Sequence, residues 1–125
     1  MTLQELETLE QFTSLVTNAP GLVLVDYSAT WCGPCKRIYP TIVKFSKEFT
    51  SIQFYKVDVD DNEDVTKEQN IEAMPTFVLY RDGKEIQRIV GADTSTLRET
   101  LEDALKPEVN MDEVLNQDPL GLTEN

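Results

Sequence analysis

Residues 22–36 read Leu22-Val23-Leu24-Val25-Asp26-Tyr27-Ser28-Ala29-Thr30-Trp31-Cys32-Gly33-Pro34-Cys35-Lys36. The first seven make an apolar run of strand length, and it leads into the only two cysteines of the chain, spaced as Cys-x-x-Cys. Beyond them Ile38, Ile42, Phe45 and Phe49 recur at i, i+4, i+7 and i+11, which puts one apolar stripe on a helix from about Gly33 to Phe49. Pro40 inside that helix lacks a backbone donor and predicts a kink. A strand that runs into Cys-x-x-Cys at a helix start sets Cys32 beside unsatisfied N–H groups and the positive end of the helix dipole, and both favour a thiolate. Cys35 follows one turn later, near enough for a small disulfide ring and deeper in the helix. The expectation is an exposed Cys32 that attacks a disulfide and a buried Cys35 that resolves the mixed disulfide. Gly33 permits close backbone approach, and Pro34 falls in the first turn, where its missing donor costs little.

Outward from this segment, strands and helices alternate, which predicts an α/β domain. Leu9, Phe12, Leu15 and Val16 repeat at helical spacing, and Asn18-Ala19-Pro20-Gly21 stops that helix before the apolar run. Ile52 to Val59 reads as a strand. Asp58, Asp60, Asp61, Glu63 and Asp64 crowd its exit and the start of a short helix, a solvated turn matched to the helix dipole rather than a calcium loop. Thr76 to Tyr80 and Lys84 to Val90 form an antiparallel hairpin through Arg81-Asp82-Gly83. Leu97, Leu101, Ala104 and Leu105 mark a last helix, with Thr94 or Ser95 as its N-cap and Pro107 as its stop.

The whole-chain numbers exclude several classes. With 125 residues, 40% hydrophobic and 27% charged, the chain has the make-up of one soluble globular domain. No apolar stretch approaches the ~20 residues of a membrane span. A net charge of −12 repels phosphate backbones and anionic lipid, so neither nucleic acid nor a membrane is expected as partner. There is no histidine, so Ser-His-Asp and Cys-His hydrolase arrangements lack their base. Two cysteines give half the ligands of a structural zinc site, so no metal is expected. Met1 to Glu10 holds Glu5, Glu7 and Glu10 but no Lys or Arg, unlike a secretory signal. A cytoplasmic location is therefore expected, where a cysteine pair serves as a working dithiol. Residues 107–125 carry acids without a basic residue and are expected to form a flexible acidic tail, with a short amphipathic helix through Met111, Val114 and Leu115 as the alternative.

Three positions read ambiguously when taken singly. Asp26 in an apolar strand is either a buried carboxyl with a raised pKa or a strand-edge group turned to solvent. Met74-Pro75 alone reads as trans, the common X-Pro isomer. Trp31 is either core or an exposed rim beside Cys32, and the end of the strand favours the rim.

From about Leu3 to Lys106 the chain resembles the thioredoxin family. The resemblance rests on Trp31-Cys32-Gly33-Pro34-Cys35, on Val25-Asp26-Tyr27-Ser28-Ala29-Thr30, on Ala73-Met74-Pro75-Thr76-Phe77 and on Val90-Gly91-Ala92. It implies a thioredoxin fold over residues 1–106, with a central mixed five-stranded sheet flanked by four helices. It implies a protein disulfide reductase with catalytic Cys32, Cys35, Asp26 and Lys56, Asp26 being the acid and base for Cys35 and Lys56 its nearby cation. It makes Pro75 cis, and it implies a substrate groove of Trp31, Gly33, Pro34, Met74, Pro75, Gly91 and Ala92, with the Met74 backbone pairing to an extended client. Thioredoxins are known for an attacking thiol near pKa ~7 against ~8.5 for free cysteine. Their potential near about −270 mV, against about −180 mV for disulfide isomerases, marks them as reductants. No bound cofactor is implied. The resemblance further implies electrons from NADPH through a thioredoxin reductase, with a ferredoxin-linked donor as the alternative, and disulfide-containing clients such as peroxidases as partners of a monomer. Ser28 stands where many bacterial members carry a second tryptophan, the extra cysteines of animal cytosolic members are missing, and the acidic tail is the largest departure. That tail motivates an alternative, a redox-switched binding module that docks a client through it.

Overall fold

The apolar run becomes the central strand of a mixed sheet in the computed structural model, which describes residues 2–107. The strands are β1 (Gln4–Glu5), β2 (Leu22–Ser28), β3 (Gln53–Asp58), β4 (Thr76–Arg81) and β5 (Lys84–Val90), in the order β1-β3-β2-β4-β5. The helices are α1 (Leu9–Phe12), α2 (Gly33–Glu48), α3 (Glu63–Glu68) and α4 (Thr94–Ala104). β2 pairs parallel with β3 and antiparallel with β4. Covered on both faces, it can be apolar along its whole length instead of alternating. Val23, Val25 and Tyr27 join one cluster with Phe12, Val16 and Val65, while Leu24 joins the other with Ile38, Ile42, Leu97 and Leu101. The expected α/β domain and five-stranded thioredoxin-type sheet are therefore present.

Sequence and structure part company at three local features, while α2 keeps its helix through the proline. β1 has only two residues, both exposed, so no apolar periodicity announces it; parallel pairing of Gln4 and Glu5 with Tyr55 and Lys56 defines it. The first helix changes at Phe12 into a π-helical turn, Thr13–Thr17, closed by the Asn18 N–H donating to the Thr13 carbonyl at 2.8 Å. α2 runs unbroken through Pro40 to Glu48. The N-cap of α4 is Asp93, not Thr94 or Ser95: its carboxylate accepts the Thr96 N–H at 3.0 Å and the Thr96 hydroxyl at 2.7 Å. A carboxylate that satisfies two donors while facing the positive helix end outcompetes a hydroxyl one residue later.

The β4–β5 hairpin turns through Asp82 and Gly83, both at positive φ, and its antiparallel register slips by one residue between Leu79 and Tyr80. Arg98 joins α4 to α2: its guanidinium lies 4.9 Å from the Phe45 ring and bonds both Glu48 oxygens at 2.7 Å. The expected acidic tail and its alternative amphipathic helix lie outside the described residues, apart from Pro107.

Candidate active site

The site begins where β2 hands over to α2. Cys32 is the N-cap of α2, with extended backbone, and Pro34 occupies the first turn, where no donor is needed. The Cys32 sulfur is bonded to Cys35, with Cα atoms 5.3 Å apart, and accepts the Cys35 N–H at 3.2 Å. The helix end thus donates a hydrogen bond to the sulfur that is expected to attack, an arrangement that favours its anionic form.

Both sulfur residues are buried, Cys32 at 4% exposure and Cys35 at 5%. This corrects the expectation that Cys32 is exposed. Its side chain folds back over the first helical turn, toward the Cys35 N–H and the partner sulfur, and belongs to an apolar cluster that includes Ala29, Val59 and the half-buried Met74. The exposed member of the motif is Trp31, at 66%. Its indole N–H donates to Asp60 Oδ2 at 2.8 Å, while Asp58 Oδ1 accepts the Asp60 and Asp61 N–H groups. The acids after β3 therefore hold the indole as well as matching a helix dipole. Nothing local in the sequence connects residues 29 positions apart, so this partner was missed.

The Met74-Pro75 peptide is cis, as the family resemblance implied and local statistics did not. Pro75 is buried, Met74 half-buried, and the Pro75 carbonyl accepts the Gly91 N–H at 2.8 Å. Gly91, at φ +105°, turns the chain out of β5, leaving Ala92 exposed. The structure thus joins the Pro75 and Gly91 segments directly and sets Met74 against the cluster that holds both cysteines. Gly33 is half-buried and Pro34 exposed on the opening turn of α2.

Asp26 lies one strand residue pair back from the loop, only 1% exposed, opposite Lys56 on β3 and Phe77 on β4. Two residues on from Leu24 in the strand, it shares that residue's face and so faces α2. Burial pushes its carboxyl up to about 7, against the attraction of the Lys56 ammonium. Among the described residues Asp26 Oδ1 and Ser28 Oγ are buried without a hydrogen-bond partner. A cavity of about 370 Å³ reaches Ser28 and is lined besides by Thr30, Cys35, Lys36, Tyr39 and Lys56 among others. A buried carboxyl that ionises near neutrality can take or return one proton there. Among the described residues no group of three or more Cys, Asp or Glu is placed to hold a metal ion.

A second polar chain crosses the opposite face. The Tyr27 and Tyr80 hydroxyls lie 2.7 Å apart, and Tyr80 donates to Gln69 Oε1 at 2.8 Å. Arg88 bonds the Gln69 and Asn70 carbonyls at 2.8 and 3.0 Å, tying β5 to the loop that leads to Met74.

Comparison with known proteins agrees with this geometry. The family model described as Thioredoxin matches residues 4–103. Thioredoxin-2 of Saccharomyces cerevisiae is 39% identical over 97 residues, covering 78% of this chain and 93% of its own. The X-ray structure of Fasciola hepatica thioredoxin is 41% identical, covers 82% of this chain and 99% of its own, and superposes with a TM-score of 0.78. A structure concerned with the thiol resolving mechanism in yeast mitochondrial 1-Cys peroxiredoxin via glutathione/thioredoxin systems matches at 37% identity, 81% and 94% coverage and a TM-score of 0.77. These relatives favour disulfide exchange at the cysteine pair over a redox-switched binding module, and they imply no prosthetic group. With a Cys32–Cys35 disulfide at the head of α2 and relatives matched along nearly their whole length, the chain belongs to the thioredoxin family and is a protein disulfide reductase that acts by dithiol–disulfide exchange.

Proposed function

We propose that the two cysteines divide the reaction, with Asp26 as the proton carrier for the second half. The Cys32 thiolate attacks a client disulfide, forming the Cys32–client bond and releasing one client thiolate. Cys35 then gives its proton to the Asp26 carboxylate, and its sulfur attacks Cys32 Sγ. The Cys32–Cys35 disulfide forms, the second client thiolate leaves and takes up a proton, and two electrons have passed to the client. The observation that carries the division is the Cys35 N–H donating to Cys32 Sγ at the N-terminus of α2. Lys56, in register with Asp26, supports its carboxylate form.

Clients lie across Trp31, Gly33, Pro34, Met74, Pro75, Gly91 and Ala92, with the Met74 backbone pairing to an extended segment by strand addition. The peroxiredoxin system named with one structural relative supports peroxidases as one client class. A thioredoxin reductase drawing on NADPH returns the electrons. The working unit is a cytoplasmic monomer formed by residues 1–106, a compartment in which a dithiol is kept reduced.

Trapping tests the division of labour. Cys35→Ser accumulates mixed disulfides with client proteins, and Cys32→Ser forms none and loses turnover. Trapping by Cys32→Ser instead would reverse the two roles.

A further inference from the structure

The segment that carries the Met74-Pro75 peptide, residues 70–75, is neither helix nor strand, so its position comes from what holds its two ends. The downstream end is tied twice: the Ala73 carbonyl accepts the Thr76 hydroxyl at 2.6 Å, and the Pro75 carbonyl accepts the Gly91 N–H at 2.8 Å. The upstream end is the exit of α3. Asn70 takes φ +55°, the left-handed turn with which helices commonly end, and the Asn70 and Ile71 N–H groups bond the Lys67 and Thr66 carbonyls at 3.1 and 3.0 Å. The Gln69 and Asn70 carbonyls lie past the helix and take their donors from Arg88, Nη2 at 2.8 Å and Nη1 at 3.0 Å. Arg88 stands on β5, on the sheet face of its register partner Val78. Its own direction is set by Glu85, whose two oxygens accept Nε and Nη2 at 2.9 and 2.8 Å. With four of the five N–H groups of a planar fork engaged, the guanidinium is held in one orientation.

Downstream of that clamp, Ile71 and Met74 pack in the cluster that includes both cysteines. Asn70, Ile71, Glu72 and Met74 also line a cleft of about 440 Å³, together with Val59 and with Asp60, the residue that holds Trp31. We propose that Arg88 is a positioning residue for client binding: by pinning the Gln69 and Asn70 carbonyls it fixes the upstream end of the segment whose Met74 backbone meets the client. This rests on the client groove proposed above. The bonds of Arg88 go to Glu85, Gln69 and Asn70 and to neither cysteine, so its effect falls on capture of the client and not on electron exchange. β5 and the glycine that follows it thus supply an anchor for each end of one segment, Arg88 upstream and Gly91 downstream.

Arg88→Met keeps an unbranched stem and removes every donor, on an edge strand where the side chain is partly exposed, so the variant folds. In the full chain, hydrogen exchange at the Asn70 and Ile71 amides becomes about tenfold faster, while the Gly91 amide keeps its rate. KM for a protein disulfide rises several-fold; kcat and the rate with a small synthetic disulfide stay where they were. Arg98→Met controls for lost stability alone, because it removes a guanidinium bonded to both Glu48 oxygens between α4 and α2, and it leaves KM unchanged. An unchanged KM in Arg88→Met, an equal loss toward the small disulfide, unchanged exchange at Asn70 and Ile71, or the same KM rise in Arg98→Met overturns the proposal. Trp31→Ala separates this failure from that of the groove. A raised KM in Trp31→Ala with an unchanged one in Arg88→Met strikes Arg88 alone, whereas an unchanged KM in both means that clients do not lie across the groove.

Discussion

The Gly91 N–H donates to the Pro75 carbonyl at 2.8 Å, so the residue that follows β5 is fastened to the cis peptide that precedes β4. Adjacent strands of a hairpin separate at their open end, and this bond keeps that end closed next to Met74, which packs on the cluster holding both cysteines. The backbone around Met74 therefore inherits its position from residues that flank two different strands.

Gly91→Ala should expose that dependence. At φ +105° an L side chain is strained, although a Cβ there would meet no neighbour within 4 Å. The cost is therefore backbone alone, about 1–2 kcal/mol in urea unfolding. KM for a protein disulfide should rise several-fold, with little change toward a small synthetic disulfide. Equal effects on both substrates would show that the segment does not position clients.

Gly83→Ala should be worse. Gly83 also has positive φ, but its Cβ would collide with the backbone carbonyl of Thr17 in the π-helical turn. Strain and overlap together should cost about 2–4 kcal/mol. Ranking the two variants by urea midpoint checks this, and Gly91→Ala coming out less stable would contradict it.

The buried tyrosine pair predicts an asymmetry. Burial pushes both phenols above their usual range, so each hydroxyl stays protonated and needs partners. Tyr27→Phe removes one end of the chain and leaves Tyr80 bonded to Gln69, costing about 1 kcal/mol. Tyr80→Phe strands the fully buried Tyr27 hydroxyl and should cost about 1–3 kcal/mol. Denaturant melts decide the order.

Asp26→Asn should stabilise the fold while slowing client reduction. The folded-state pKa of about 7 lies above the ordinary 3.8, so the folded chain binds the proton more tightly and ionisation of Asp26 subtracts from stability. The penalty is absent below 3.8, grows across the interval and is complete above about 7. At ~1.36 kcal/mol per pH unit, the gain from Asp26→Asn should be about 2 kcal/mol larger at about pH 8.5 than at about pH 5.5. Urea melts of wild type and variant at both pH values measure it; a gain independent of pH would contradict a buried, titrating Asp26.

The legible parts of this protein were those set by neighbours in sequence. The β2 run, the Ile38–Ile42–Phe45 stripe and the Asp82-Gly83 turn each satisfy their own geometry locally, and they sufficed for an α/β domain with a cysteine pair at a helix start. What lay beyond such reading depends on distant partners. β1 exists because β3 offers it hydrogen bonds, and Trp31 is held by Asp60 from across a loop. The cis state of Pro75 came only from family resemblance. Burial of Cys32 was misread because helix-start position implies access, whereas the packing of Met74, Ala29 and Val59 decides it.

The ring closed by Cys32 and Cys35 spans a sequence separation of three, all within the first turn of α2. A loop that short restrains the unfolded chain by about 2 kcal/mol, against about 5 kcal/mol for one of a hundred residues. Oxidation therefore grips no second element and has no long segment to pull on. The mechanical reach of the electron exchange is thereby confined to one turn at the head of a single helix.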